Sequence, residues 1–384
     1  MLRAEPGDGS GAMKNTQLLW FLSMVVMSNL AEGAVVDVEA GKKDLPEQTP
    51  SSPSEPSKEK EDLFKLGGRV HTRWEMSHFK GEELTNDFSV QRVYVKAIWN
   101  PTASVIGVVQ IGIEEDFITS SAASLIKDAY LHVSLFEFFE LRAGQFKKPF
   151  SGLELQSSAS LKVPERGIGN ELIERELLYG ARDIGAQVSG RIIKSVKLDY
   201  AVGIFNGSGQ SVEDLDRSKD IVGRISMRPR KRLRLGASGS FKFFDGTNAE
   251  VSHAFAAGLD ARWRLSDFVF YAEGQVAEDH LFWIWNEELP RPPLLLNGLA
   301  ILSYRYRFPV AGRLRAEPVF KFEILDLNAD AGDDLVFTYG PGINIYAGKY
   351  IRFMVHGEFR RAQQRSALRY RDRELLMVQL CFDI

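Results

Sequence analysis

Apolar and polar residues alternate through most of the sequence from residue 63 to residue 384, in runs of about ten residues. The clearest run is residues 233–243, LRLGASGSFKF, in which apolar residues such as Leu235 and Phe241 hold the odd positions and cations such as Lys242 hold the even ones. A period of two places successive side chains on opposite faces of a β-strand. The pattern therefore predicts an all-β fold whose strands have one apolar and one polar face, as in a sandwich or a barrel.

The connections between the runs separate these two architectures, because outer-membrane barrels alternate short turns at one end with long loops at the other. Short connections fall at residues 100–103, 135–138, 194–195, 229–231, 266–267, 309–312 and 348–349. Long connections lie between them, at residues 80–87, 115–123, 147–182, 207–219, 245–251, 278–293, 327–334 and 362–373. This order predicts a transmembrane antiparallel up-and-down β-barrel of about 16 strands, wide enough to enclose an aqueous channel.

The last run and the aromatic residues also fit a barrel in a membrane. Residues 374–384 place Leu376, Val378, Leu380, Phe382 and Ile384 on the outer face, which resembles the C-terminal strand of outer-membrane barrels. Aromatic residues lie near strand ends, where rings with a polar edge suit the headgroup zone, although aromatics also favour strands generally. These residues are Trp74, Trp99, Trp263, Tyr304, Tyr306, Phe308 and Phe382.

The N-terminal residues have a different composition from the rest. An apolar run at residues 18–30 follows Lys14 and ends in small residues, so residues 1–33 are predicted to be a signal peptide whose start is Met13. The alternative is an uncleaved membrane anchor. Residues 34–62 have almost no large apolar side chains and are predicted to form a disordered periplasmic linker. The barrel is assigned to residues 63–384, and export is implied by either N-terminal interpretation.

The overall composition excludes some classes of protein. Mean hydropathy is -0.17, which is too polar for a bundle of membrane helices. Cys381 is the single cysteine of the chain, so an intrachain disulfide is impossible. The 48 Lys and Arg nearly balance the 51 Asp and Glu, which gives no reason to expect a nucleic acid partner.

Three stretches of the sequence resemble one protein family. They are residues 126–131 (IKDAYL), 141–151 (LRAGQFKKPFS) and 200–209 (YAVGIFNGSG), the last followed by residues 220–224 (DIVGR). Together they resemble the phosphate-selective porin O and P family, and the similarity covers the predicted barrel. The resemblance implies a trimeric channel in the bacterial outer membrane. It also implies that the long third external loop, residues 147–182, folds into the lumen as a constriction loop.

Strand parity assigns the inward side chains of the predicted channel. The predicted pore-lining residues are Arg142, Arg191, Arg224, Lys242, Arg262, Arg264, Arg305, Arg313, Arg315, Lys321, Arg352 and Arg360, and the same parity turns Arg92, Lys96 and Arg307 inward. The predicted cations of the constriction loop are Lys147, Lys148, Lys162 and Arg166. Inward cations outnumber inward acids, and a cationic pore concentrates anions. The alternative for each cation is a cross-strand ion pair on a wet wall.

These patterns predict an ion-transporting porin for small polar solutes, with a preference for phosphate-like or other small anions. The predicted partners are outer-membrane lipid, lipopolysaccharide, the solutes and two further copies of the chain. Two alternatives remain, a non-transporting barrel that anchors the envelope and a hydrolase that uses His132 and Ser134.

The acidic stretch at residues 326–334 resembles a calcium loop but lacks its glutamate, so no metal site is predicted, and no cofactor motif occurs.

Overall fold

The computed structural model describes residues 63–114, 125–214, 217–244, 253–286, 289, 291–308 and 314–384. The predicted signal peptide and linker, and the predicted connections at 115–123, 245–251 and 309–312, lie outside these residues. The strands are β1 Phe64–Phe79, β2 Thr85–Thr102, β3 Val105–Glu114, β4 Ile126–Phe136, β5 Phe139–Lys147, β6 Arg182–Ile193, β7 Leu198–Phe205, β8 Asp220–Arg230, β9 Leu233–Phe243, β10 His253–Leu265, β11 Phe268–Glu278, β12 Leu294–Tyr304, β13 Leu314–Asp326, β14 Leu335–Ala347, β15 Ile351–Ala362 and β16 Arg373–Asp383. A short segment, Tyr306–Arg307, continues β12 beside β13.

The strands form one closed antiparallel barrel. Each strand pairs with its neighbours in the chain, and β16 pairs with β1 from Arg69↔Asp383 to Phe79↔Arg373. Among the described strands, closure leaves no edge strand without a neighbour, which is the condition for a sheet to span a membrane. The predicted barrel of 16 strands is confirmed. The first long connection was predicted at 80–87 but is shorter, because β2 already begins at Thr85.

The two faces of the wall follow the parity of the sequence. Along β9, Phe241 and Phe243 are exposed on the outer face, whereas Ser240 and Lys242 are buried on the inner one. Exposed aromatic residues gather near the end that carries the short turns. They include Trp99, Phe136, Trp263, Phe268, Tyr304, Tyr306 and Phe382. The outer face is thus an apolar surface with an aromatic border, which suits a hydrocarbon layer and its headgroups.

Leu259 tests the assignment of the outer face. It lies at the middle of β10, with 68% of its surface exposed. Replacing Leu259 by Arg is expected to lower the free energy of unfolding by about 2–4 kcal/mol, because a cation at the membrane midplane loses its hydration. Urea unfolding in lipid vesicles measures the effect, and Leu259→Ala is the control that removes apolar surface without adding charge. Equal losses in the two variants would show that this face does not meet lipid.

The described residues contain no helix with the length and apolar character needed to cross a membrane. The short helices lie in the long connections. They are a 3-10 turn at Ser158–Ser160, helix α1 at Ile168–Asn170 with a π-helical continuation at Glu171–Glu176, helix α2 at His280–Trp285 and a 3-10 turn at Ser366–Leu368.

The connection from β5 to β6, residues 148–181, folds into the barrel and is called the inner loop below. Its apolar residues form two buried clusters with side chains of the wall. In one cluster, Leu172 and Ile173 are grouped with Leu295 of β12. In the other, Leu161 is grouped with Ile301 of the same strand. The expectation of a uniformly polar inner face is therefore wrong where wall residues such as Val222 of β8 and Val336 of β14 join these clusters, because the inner loop needs apolar surface against which to pack.

Candidate functional site

Lys148 anchors the first residues of the inner loop in a buried cluster of charges. Its ammonium lies 2.9 Å from Asp220 of β8 and 3.6 Å from Asp183 of β6, and it donates to the carbonyl of Leu178. Lys242 of β9 lies 2.8 Å from the same Asp220 carboxylate. The two lysines and two aspartates compensate one another's charge, as burial requires.

Two glycines let the middle of the inner loop lie directly on the wall. The Glu323 carboxylate of β13 accepts hydrogen bonds from the backbone N–H groups of Ile168, at 3.0 Å, and Gly169, at 2.8 Å. A Cβ atom at Gly167 would clash with this carboxylate, and one at Gly169 would clash with Asn297 of β12. Glycine permits this close approach at both positions, and a larger residue would displace the Glu323 or the Asn297 side chain.

Further contacts hold the inner loop against β13, β14 and β15. The Lys162 ammonium lies 2.7 Å from Glu317, and Asn344 donates to the Lys162 carbonyl at 2.8 Å. Arg352 donates to the carbonyl of Leu161. These anchors, like most wall residues of the apolar clusters, lie on the β8 to β15 side of the barrel. The inner loop consequently fills much of that side of the lumen. Open space remains beside β1 to β4 and β16, and it reaches Lys321 of β13 and Arg360 of β15.

Two adjacent cavities occupy the open side, with volumes of about 330 Å³ and about 190 Å³. They share Arg92, Arg166 and Arg175, and together they are called the passage below. Its eleven basic residues are Arg69, Arg73, Arg92, Lys96, Lys147, Arg166, Arg175, Arg182, Lys321, Arg360 and Arg373, and its five acidic residues are Glu75, Asp128, Glu165, Glu171 and Glu358. Cations thus outnumber acids about two to one around the passage, which raises the local concentration of anions.

The four predicted cations of the constriction loop have different positions. Lys147 and Arg166 line the passage, and both lie beside the buried Glu154 carboxylate, at 2.6 Å and 3.0 Å. Lys148 does not face solute, because its side chain is fully buried in the charge cluster. Lys162 is engaged with Glu317 and is absent from the lining of the passage. Sequence parity does not apply to an irregular loop, so it did not distinguish these positions.

The predicted wall cations also divide into groups. Lys321 and Arg360 line the passage. Arg224, Lys242 and Arg352 are buried in contacts with the wall or the inner loop, Arg224 at 2.6 Å from Asp260. Arg142 lies over the Tyr130 ring, 4.9 Å from its centroid, and Arg191 pairs with Asp199 at 2.7 Å. Arg313 lies outside the described residues.

A second group of arginines lies on inward parity near the short-turn end of β9 to β13. It is called the arginine rim and consists of Arg234, Arg262, Arg264, Arg305, Arg307 and Arg315. Arg234 is the register partner of Arg262 on the neighbouring strand, and Arg307 is the register partner of Arg315. Like charges in register disfavour strand pairing. The arginine rim therefore places cations at positions that strand pairing alone does not favour.

Five cations of the passage were missed from the predicted site. They are Arg69, Arg73, Arg175, Arg182 and Arg373. The parity applied to the other strands was sufficient to find Arg69 and Arg73, because they alternate with the outward residues of β1. No sequence signal identifies Arg175, which belongs to the π-helical turn of the inner loop.

His132 and Ser134 share the inner face of β4 but do not form a catalytic relay. The Ser134 hydroxyl lies 3.1 Å from Nε2 of His132, and the Glu140 carboxylate approaches the same nitrogen at 3.7 Å. A serine hydrolase needs the carboxylate on the other ring nitrogen, where it orients the imidazole. The Nδ1 atom of His132 is buried without a hydrogen-bond partner.

The long connections also interact above the inner loop. Arg369, before β16, lies 2.9 Å from Glu176 of the inner loop and 2.9 Å from Asp279 at the start of α2. His280 packs edge-on against Tyr179 of the inner loop. Burial, together with the nearby Lys242 ammonium, lowers the pKa of His280 to about 4, so the imidazole is neutral at neutral pH. A neutral ring suits this apolar contact.

The acidic stretch at residues 326–334 binds its own backbone. Asp326 accepts from the N–H of Asn328, and Asn328 accepts from that of Asp330, each at 3.1 Å. Asp330 also pairs with Arg291 at 2.7 Å. No cluster of three or more metal-ligating side chains occurs within the described part of the chain.

Comparison with known proteins gives one family and many similar structures. The sequence model of the phosphate-selective porin O and P family matches residues 64–265. No curated protein matches the chain in sequence. The anion-selective porin from Comamonas acidovorans is 13% identical, with 84% of this chain and 99% of that chain covered and a TM-score of 0.58. OprB of Pseudomonas putida, in its high-pH structure, is 7% identical over 84% and 94%, with a TM-score of 0.64. The in-vitro folded trimer form of Vibrio cholerae OmpT is 11% identical over 84% and 100%, with a TM-score of 0.53.

Proposed function

Because the chain belongs to the phosphate-selective porin O and P family and is a porin of the bacterial outer membrane, we propose that it passes small anions through its lumen by passive diffusion. The observation that carries the proposal is the charge of the passage, with eleven basic and five acidic residues around two small cavities. A solute that crosses the barrel on its open side meets these residues at close range.

The size and polarity of the passage support small polar cargo. Its cavities, of about 330 Å³ and about 190 Å³, suit an inorganic anion or a short carboxylate better than a large solute. The low-dielectric wall and the inner loop strengthen the attraction between these cations and an entering anion. The arginine rim adds a second cationic zone at the end with the short turns.

The remaining partners are part of the same proposal. The apolar outer face and its aromatic border suit outer-membrane lipid and lipopolysaccharide. Trimeric assembly is supported by the Vibrio cholerae structure, which is a trimer form with the same fold. We also propose that residues 1–33 are a signal peptide and that residues 34–62 are a periplasmic linker.

Purified protein in a planar bilayer tests the proposal. With a tenfold KCl gradient, stable conductance steps are expected, and the reversal potential is expected to lie on the chloride side of zero, because the passage attracts anions. A reversal potential at zero or on the potassium side would contradict anion preference. A silent barrel would favour the envelope-anchoring alternative. Ester hydrolysis that disappears in Ser134→Ala would favour the hydrolase.

A further inference from the structure

One carboxylate of the inner loop binds two arginines on the opposite wall. Glu165 accepts a hydrogen bond from Arg73 of β1 through one oxygen and lies 3.0 Å from a guanidinium nitrogen of Arg92 of β2 through the other. The loop anchors described above are directed toward β6 and β8 to β15, whereas this contact, like the hydrogen bonds from Arg69 of β1 to Ser157 and Ser158, reaches the wall beside the open space. Glu165 therefore lies within the passage, where a permeating anion would travel.

The two sides of this contact differ in exposure. The Glu165 side chain is 40% exposed, whereas those of Arg73 and Arg92 are 4% and 8% exposed. Arg73 is also held by Gln379 of β16, through hydrogen bonds of 2.9 Å and 3.1 Å, and by Glu75 at 3.7 Å. The Arg73 guanidinium is thus held in position by residues of the barrel wall as well as by Glu165. The carboxylate is the component that solvent and solute reach.

Taking the proposed anion channel as its premise, we propose that Glu165 is a tethered counter-anion, which occupies an anion site built by Arg73 and Arg92 and must be displaced by the permeating anion. A carboxylate and an oxyanion such as inorganic phosphate present similar oxygens to a guanidinium, with similar charge-assisted hydrogen bonds. An entering oxyanion can therefore replace the Glu165 carboxylate at the N–H groups of Arg73 and Arg92.

This exchange makes Glu165 a determinant of anion affinity at the site. An oxyanion has two or more oxygens and replaces both contacts of the carboxylate, so it competes well for the site. Chloride has no pair of oxygens to match the planar guanidinium fork and competes poorly. The arginine pair is therefore expected to bind oxyanions in preference to chloride, and removal of the carboxylate is expected to strengthen oxyanion binding, because the donors are no longer occupied.

The test uses inorganic phosphate as a blocker of chloride current through single channels. In Glu165→Gln, chloride conductance at low salt is expected to rise by about twofold, and the phosphate concentration for half block is expected to fall by about tenfold, because phosphate no longer competes with a bound carboxylate. Glu171→Gln is the matched control. It removes the same charge from the same cavity, but its carboxylate lies 3.4 Å from Arg175 rather than on the two wall arginines.

The outcomes separate the two proposals. If the unmodified protein prefers cations, the proposed function and this inference both fail. If the protein prefers anions but Glu165→Gln and Glu171→Gln change conductance and phosphate block equally, the inference alone fails. A lower thermal unfolding midpoint in Glu165→Gln with unchanged phosphate block would show a purely structural link and would also overturn it. If Glu165→Gln does not fold, Glu165→Asp is used, in which the shorter side chain weakens the two contacts, so a smaller change in the same direction is expected and no change overturns the inference.

Discussion

Replacing both Lys96 and Arg360 by Glu is expected to abolish the anion preference and move the reversal potential toward that of potassium. The two residues line different cavities of the passage, so the double variant places new negative charge in each. The change reverses two charges next to the permeating ion, in a site partly shielded from water, where charge has its largest effect. The ratio of chloride to potassium permeability is expected to fall by about tenfold, the lower end of the range for charge-lined clefts.

The control for this experiment makes the same change of charge outside the passage. Lys80 and Lys194 have side chains 83% and 80% exposed, in the connections between β1 and β2 and between β6 and β7. Their replacement by Glu is expected to leave the reversal potential almost unchanged at 0.1 M salt. At that salt concentration, exposed charges hardly act on a permeating ion more than about 10 Å away. The same reversal at Arg264 and Arg315 of the rim is expected to give an intermediate shift. Equal shifts in all three double variants would mean that net charge, and not the passage, determines selectivity.

Replacing Lys148 by Met is expected to lower the free energy of unfolding by about 3–5 kcal/mol, the cost of leaving a buried charge without its partner. Lys148 is fully buried between Asp183 and Asp220, and its removal leaves Lys242 as the remaining lysine of the cluster. The start of the inner loop then loses its anchor. The measurement is urea unfolding in detergent micelles, followed by tryptophan fluorescence.

Lys80→Met is the control for this stability experiment. Lys80 is 83% exposed and lies 3.8 Å from Asp372, so removing its charge is expected to change stability by less than about 1 kcal/mol. Current recordings add a second readout, because a loosened inner loop is expected to increase the noise of the open channel. A Lys148→Met variant as stable and as quiet as the unmodified protein would show that the cluster does not anchor the loop.

The sequence by itself was sufficient for the wall of the barrel. The period of two in runs such as residues 233–243 determines which side chains face out, because successive residues of a strand must point to opposite faces. If the apolar face of every strand meets lipid, every strand must also pair on both sides, because lipid offers no hydrogen bonds to a free edge. A closed barrel satisfies both conditions. Residues 141–151 and two other stretches also carried the resemblance to the family that the chain belongs to.

Only the tertiary structure decided which inward cations line the passage. Parity reports the face of a strand but not the contents of the lumen, and the inner loop has no period from which its path follows. Lys148 and Asp220 are 72 residues apart, and Glu165 and Arg73 are 92 apart, so their contacts depend on closure of the barrel and on the side against which the loop packs. The apolar residues of the loop pack against the apolar part of the wall, because burial removes their surface from water. Arg224 is therefore buried on the side that the loop covers, whereas Arg73 lines the open space on the other side.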